Sequence, residues 1–86
     1  MIKIEKRGFG YKTSFGGMLK IAEIQNFINE LIDHINSSNE NFSIYFDFRG
    51  INYFAKDAQM EFNSFRTFLK KRGMVRSTII LSKKGD

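Results

Sequence analysis

Phe42–Lys71 reads FSIYFDFRGINYFAKDAQMEFNSFRTFLKK, and its two halves carry different hydrophobic periods. In the first half, Phe42, Ile44, Phe46 and Phe48 alternate with Ser43, Tyr45 and Asp47. A period of two in β-branched and aromatic residues predicts a half-buried strand. In the second half, Ala58, Phe62, Phe65 and Leu69 recur at steps of four, three and four, which puts them on one stripe of a helix. Arg49-Gly50 between them reads as a loop. Asp57 is placed to act as helix N-cap, because its carboxylate can accept from the free N–H groups of the first turn. Glu61 adds negative charge just inside that turn. Lys70, Lys71 and Arg72 crowd the last turn, where the helix dipole favours cations, and Gly73 supplies the stop. Strand, loop and helix form the expected central unit, which the rest of the chain covers and closes.

Upstream, Met1–Lys6 alternates weakly, Arg7-Gly8-Phe9-Gly10 has turn chemistry, and Tyr11–Phe15 reads as a returning strand ended by Gly16-Gly17. Gly8 and Gly10 have the look of a dinucleotide loop, but that loop must lead straight into a helix, and here a strand follows. A helix is expected from about Leu19 to Ile35. Its apolar face is Ile21, Ile24, Ile28, Leu31 and Ile35, widened by Phe27 and Ile32. Residues 36–41 form a polar connector. Downstream, Met74-Val75-Arg76 leads into Ser77–Leu81, whose apolar run suits a strand buried on both faces. The order is ββαβαβ, and strand–helix–strand crossovers give parallel pairing with right-handed connections. The expected fold is therefore α/β, one domain over residues 1–86: a β-hairpin followed by two helix–strand units. Its sheet is mixed and four-stranded, with the helices packed on it, and is short at the C-terminus.

Eighty-six residues bury only about 60–65% of their unfolded surface, so the core must be well filled, and ten Phe can fill it. The absence of Cys removes disulfides, thiolate zinc sites and cysteine nucleophiles together. No leader-like start and no apolar run near 20 residues are present, so a cytoplasmic protein without a membrane span is expected. His34, the one histidine, sits at the end of the first helix beside a carboxylate that points elsewhere, and reads as a helix-end residue. Asp47 beside Arg49 reads as a local ion pair. With no convergent pair of acids or bases, no catalytic centre, metal site or cofactor is expected.

The last stretch needed is the exit from the second helix, Lys71-Arg72-Gly73-Met74-Val75-Arg76-Ser77. It resembles the "Lys-x-Arg-Gly" exit of the STAS domain, named for sulphate transporters and anti-sigma-factor antagonists. Asp47-Phe48-Arg49-Gly50-Ile51 is similar to that family's strand end, and Asn52–Asp57 falls where its switch loop enters the second helix. The small cytoplasmic antagonist-like proteins are the nearest subgroup. The resemblance implies a non-enzymatic regulatory module whose protein partner, a kinase or anti-sigma-like protein, docks on the start of the second helix. Tyr53, Lys56, Asp57, Met60 and Asn63 are the expected contact residues. The family's phosphorylated serine or threonine has no counterpart, since this chain reads Ala55-Lys56-Asp57-Ala58. Asp57 is then either a fixed imitation of the phosphate charge or simply the cap. The family usually continues past this strand, so a minimal form or a homodimer covering the sheet is expected.

The net charge of +5 is carried by the two ends, with an acidic stretch from 21 to 65 between them. A second reading is therefore nucleic-acid binding through Lys70, Lys71, Arg72, Arg76, Lys83 and Lys84, with exposed aromatics such as Tyr11.

Overall fold

The alternation at the start of the central stretch does bury one side of a strand: Phe42, Ile44 and Phe46 are buried while Tyr45 is exposed. In the computed structural model, which describes residues 1–8, 10–37 and 41–81, that strand is the third of four. The elements are β1 (Ile2–Arg7), β2 (Gly10–Leu19), α1 (Ile21–Asn36), β3 (Phe42–Phe54), α2 (Lys56–Arg72) and β4 (Met74–Ile80). The sheet runs β1-β2-β3-β4, with β1 antiparallel to β2 and the remaining pairs parallel. Both crossovers step the same way across it, so right-handed connections bring α1 and α2 to one face, where they pack together. The fold is the expected α/β, ββαβαβ arrangement. No helix among the described residues covers the opposite face.

Phenylalanine fills the space between sheet and helices. Phe46 meets Phe62 edge-on at 5.2 Å, and Phe15 meets Phe27 at 5.0 Å and Phe48 at 5.0 Å. Edge-to-face contact sets the positive ring rim against a negative ring face, adding to the roughly 1.5–3 kcal/mol of each side chain's burial. Helix α1 contributes Ile24, Phe27, Leu31 and Ile35. Helix α2 contributes Ala58, Phe62, Phe65 and Leu69, the stripe read from the sequence. Gly73 ends α2 at φ 135°, its N–H donating to the Leu69 carbonyl over 3.1 Å.

Several boundaries differ from the sequence reading. Arg49-Gly50 is not a loop, and Gly16-Gly17 does not end a strand. Both glycine sites lie inside paired strands, where Gly16 stands opposite Gly50 across two register shifts. There the parallel strands slip past one another and continue to Leu19 and Phe54. Leu19, expected to open α1, is instead the buried last residue of β2. Ala55 rather than Asp57 caps α2 and offers no side-chain bond. Asp57 still serves the helix end, since its carboxylate accepts the Ala58 N–H at 2.8 Å. Glu61 consequently falls in the second turn.

Strand β4 starts at Met74 and is an edge strand, largely exposed, rather than one buried on both faces. With both helices on one face, no described helix packs on its outward residues. Tyr11, expected to be exposed, is buried toward α1, where its hydroxyl donates to the His34 carbonyl at 3.2 Å.

Candidate functional site

The residues expected at the helix start are all solvent-accessible. Lys56, Met60 and Asn63 follow steps of four and three along α2, so they form one outward stripe about 10 Å long, with Met60 65% exposed. The stripe continues through Thr67, also exposed. Its origin is local: Phe62 and Phe65 must face the sheet, which turns Met60 and Asn63 outward. Tyr53 leaves β3 just before the helix. It pairs in register with Met18 of β2, and both are more than half exposed. Met18 was not anticipated from the sequence, because the strand was read as ending at Gly16. Two exposed large hydrophobes thus stand together where the parallel strands end, and Met60 projects from the helix that starts there. The join is held firmly: the Ala55 N–H donates to the Leu19 carbonyl at 2.9 Å, and the Gln59 side-chain amide donates to the Phe54 carbonyl at 2.8 Å.

Asp47 and Asp57, which flank this segment, do different work. Asp57 serves the first turn, as described. Asp47 is gripped by Arg49, whose Nη2 and Nε donate to the two carboxylate oxygens at 2.7 and 2.9 Å, with the Arg49 backbone N–H adding a third bond. Those bonds, the side-chain ones first, lower the Asp47 carboxyl from 3.8 to about 2. A depressed carboxyl stabilises the fold above its unfolded value and loses that contribution as pH falls through the folded value. Because Arg49 is 60% exposed, solvent screening keeps that contribution small. Asp47→Asn should therefore lower the urea midpoint at neutral pH, and its gap to the wild type should close as the pH is brought down toward 2. Equal midpoints at neutral pH would show that the pair stabilises nothing.

The basic residues named from the sequence do not share one surface. Lys70 and Lys71 are exposed on the last turn of α2. Arg72 donates to the Ile35 carbonyl at 3.3 Å and so closes the end of α1. Arg76 lies in the register phase of β4 that faces away from the helices, alongside Ser43. Lys83 and Lys84 lie outside the described residues. His34 is exposed at the end of α1, its carbonyl taken by Tyr11 and Ser37 hydroxyls. Among the described residues, no group of three or more His, Cys, Asp or Glu is arranged to hold a metal ion. None of the described helices is long and apolar enough to cross a membrane.

No family model matches the chain, and no curated protein matches it. The fold does recur among solved structures. One of these, described as "Crystal Structure Analysis of Mglu", overlays 98% of this chain with a TM-score of 0.74 at 9% identity. The chain spans 19% of the Mglu chain, so the likeness is one of fold over a fifth of a larger protein.

Proposed function

We propose that this domain is a non-enzymatic, STAS-like interaction module that docks a regulatory protein partner at the start of α2. The carrying observation is that both elements meeting at this end expose large hydrophobes: Met18 and Tyr53 paired in register at the strand ends, and Met60 on the outward stripe of the helix. Methionine is flexible and polarisable, which suits it to an adaptable contact, and tyrosine combines area with low entropy cost. Lys56 and Asn63 flank Met60 and supply a polar rim, the usual anatomy of a protein interface. Asp57 contributes through the helix end, since its carboxylate is already bonded to the Ala58 N–H. That favours a capping role over imitation of a phosphoserine. With no hydroxyl at 55–58, the module binds without a phosphorylation switch at this point.

Met60→Lys tests the reading. Affinity capture from nuclease-treated lysate of the source organism, in a cytoplasmic extract, should retain one protein with the wild type. Retention should fall by roughly tenfold or more with Met60→Lys, the size expected for an interface anchor, and persist with Thr67→Lys further along the same stripe. Equal recovery by both variants, with unchanged thermal midpoints, would remove the helix start as the docking surface.

A further inference from the structure

Strand register defines what the sheet face turned away from the helices presents, and the three rows that follow hold no residue of the helix-start surface. Arg7, Gly10, Ser43 and Arg76 stand in one row across the four strands. Glu5, Lys12, Tyr45 and Thr78 form the next row, and Lys3, Ser14, Asp47 and Ile80 the one beyond. The first row sinks in the middle, because Gly10 has no side chain and Ser43 a short one. The result is a depression of about 370 Å³, lined among others by Arg7, Lys12, Tyr45 and Arg76. Arg7 and Arg76 stand on the two outer strands, three strand spacings or about 14 Å apart. Guanidinium groups therefore border the depression from both sides.

Charge and ring chemistry point the same way. Among the described residues, five cations on this face, Lys3, Arg7, Lys12, Arg76 and Arg49 beside Asp47, meet two carboxylates. Glu5 is shared by Lys3 at 3.3 Å and Arg7 at 3.0 Å, and Asp47 is taken by Arg49. Neither Lys12 nor Arg76 is in an ion pair among the described residues. Tyr45 is 39% exposed, while Phe42 and Phe46, which alternate with it, are buried in the core. A cationic trough beside an accessible aromatic face is the combination that holds an unpaired base by stacking and its phosphates by charge. A duplex offers no free base face to Tyr45, and no described helix or ribbon projects from the face to enter a groove.

We propose that this open face binds single-stranded nucleic acid. One base stacks on Tyr45, and neighbouring phosphates lie over the Gly10–Ser43 depression between Arg7, Arg76 and Lys12. This inference is independent of the helix-start reading, and each stands or falls without the other.

Fluorescence anisotropy with short labelled oligouridylate and oligothymidylate tests it on the full chain. Binding should weaken steeply with salt. Arg76→Glu and Lys12→Glu should each raise Kd by roughly tenfold and flatten the salt slope. Tyr45→Ala should raise Kd by roughly tenfold or more, while Tyr45→Phe, which keeps the ring, should bind like the wild type. Lys71→Glu on α2 is the control for general charge, and urea midpoints of every variant confirm folding. No binding at low salt overturns the proposal. So does binding of polyglutamate or duplex as tightly as of single strands with Tyr45→Ala unaffected, which would mark a plain cationic surface. Competition by a free mononucleotide as strong as by the oligonucleotide would mark a nucleotide pocket, and overturns it too.

Discussion

Phe46→Ala is expected to remove about 3–5 kcal/mol of folding stability, close to half of what a chain of this size has. At about 0.05–0.15 kcal/mol per residue, an 86-residue domain holds on the order of 4–13 kcal/mol. Phe46 is fully buried, and its ring meets Phe62 at 5.2 Å, Phe48 at 6.3 Å and Phe15 at 6.4 Å. Those partners come from β2, β3 and α2, so the layer cannot collapse into the gap by moving one side chain. The cost is therefore the transfer loss together with an unfilled cavity. For a domain of this length each kcal/mol moves the thermal midpoint by about 4–8 °C, giving a fall of at least about 12 °C. Phe68→Ala supplies the contrast, because Phe68 is 46% exposed and stacks at 6.0 Å on Phe65 alone among the described rings. It should cost no more than a third as much. Equal midpoint shifts in urea for the two variants would show that the phenylalanine layer is not the stabilising core.

That contrast marks what the sequence makes legible. Phe46, Phe62, Phe65 and Leu69 announce their burial through period alone, since each is fixed by neighbours a turn or a pleat away. The glycines at 16, 17 and 50 mislead for the opposite reason. Taken locally they read as breakers, yet Gly16 faces Gly50 and Gly17 faces Ile51 across β2 and β3, where two strands distant in sequence slip in register. Gly50 shows the constraint: a Cβ there would lie 3.0 Å from the Phe15 carbonyl oxygen. Nothing within either segment reveals that pairing. The misplaced cap of α2 has a similar origin. Ala55 carries no polar side chain, so the nearest carboxylate, Asp57, drew the assignment two residues too far.

The same limit separates the two candidate surfaces. The helix start lies within one short segment, so the inward stripe of Phe62 and Phe65 is enough to turn Lys56, Met60 and Asn63 outward. Met18 joins it only through pairing with Tyr53. Arg7, Lys12, Tyr45 and Arg76 come from four strands spread over most of the chain, and only the strand order brings them together. Alternation does mark Tyr45 as outward-facing. It is silent on Arg76, which by sequence leads into the last strand, whereas β4 already includes it.

Register also sets the second large effect expected. Gly10→Ala should destabilise the domain by several kcal/mol, although alanine is usually the milder of single substitutions. An added Cβ at this position would run into the Ser43 carbonyl oxygen of β3, with the Ser43 carbonyl carbon and Oγ also at 2.8 Å. The first obstacle is backbone, so no side chain can rotate away, and relief requires β2 and β3 to part where their parallel pairing begins. Forced accommodation of extra atoms in a packed site typically costs about 1–3 kcal/mol. Moving a backbone segment out of a ladder adds the loss of hydrogen bonds at about 1 kcal/mol each. Gly8→Ala isolates the cause. Gly8 has open space around its Cβ position but sits at φ +51°, so alanine there meets only the left-handed backbone penalty of about 1–2 kcal/mol. Urea unfolding should rank wild type first, Gly8→Ala second and Gly10→Ala well below. Amide exchange should then show the extra loss of protection in Gly10→Ala concentrated at the start of β2 and β3. If instead Gly8→Ala is the more damaging, turn conformation rather than strand approach governs this corner, and the depression beside Ser43 is not fixed by the contact between β2 and β3.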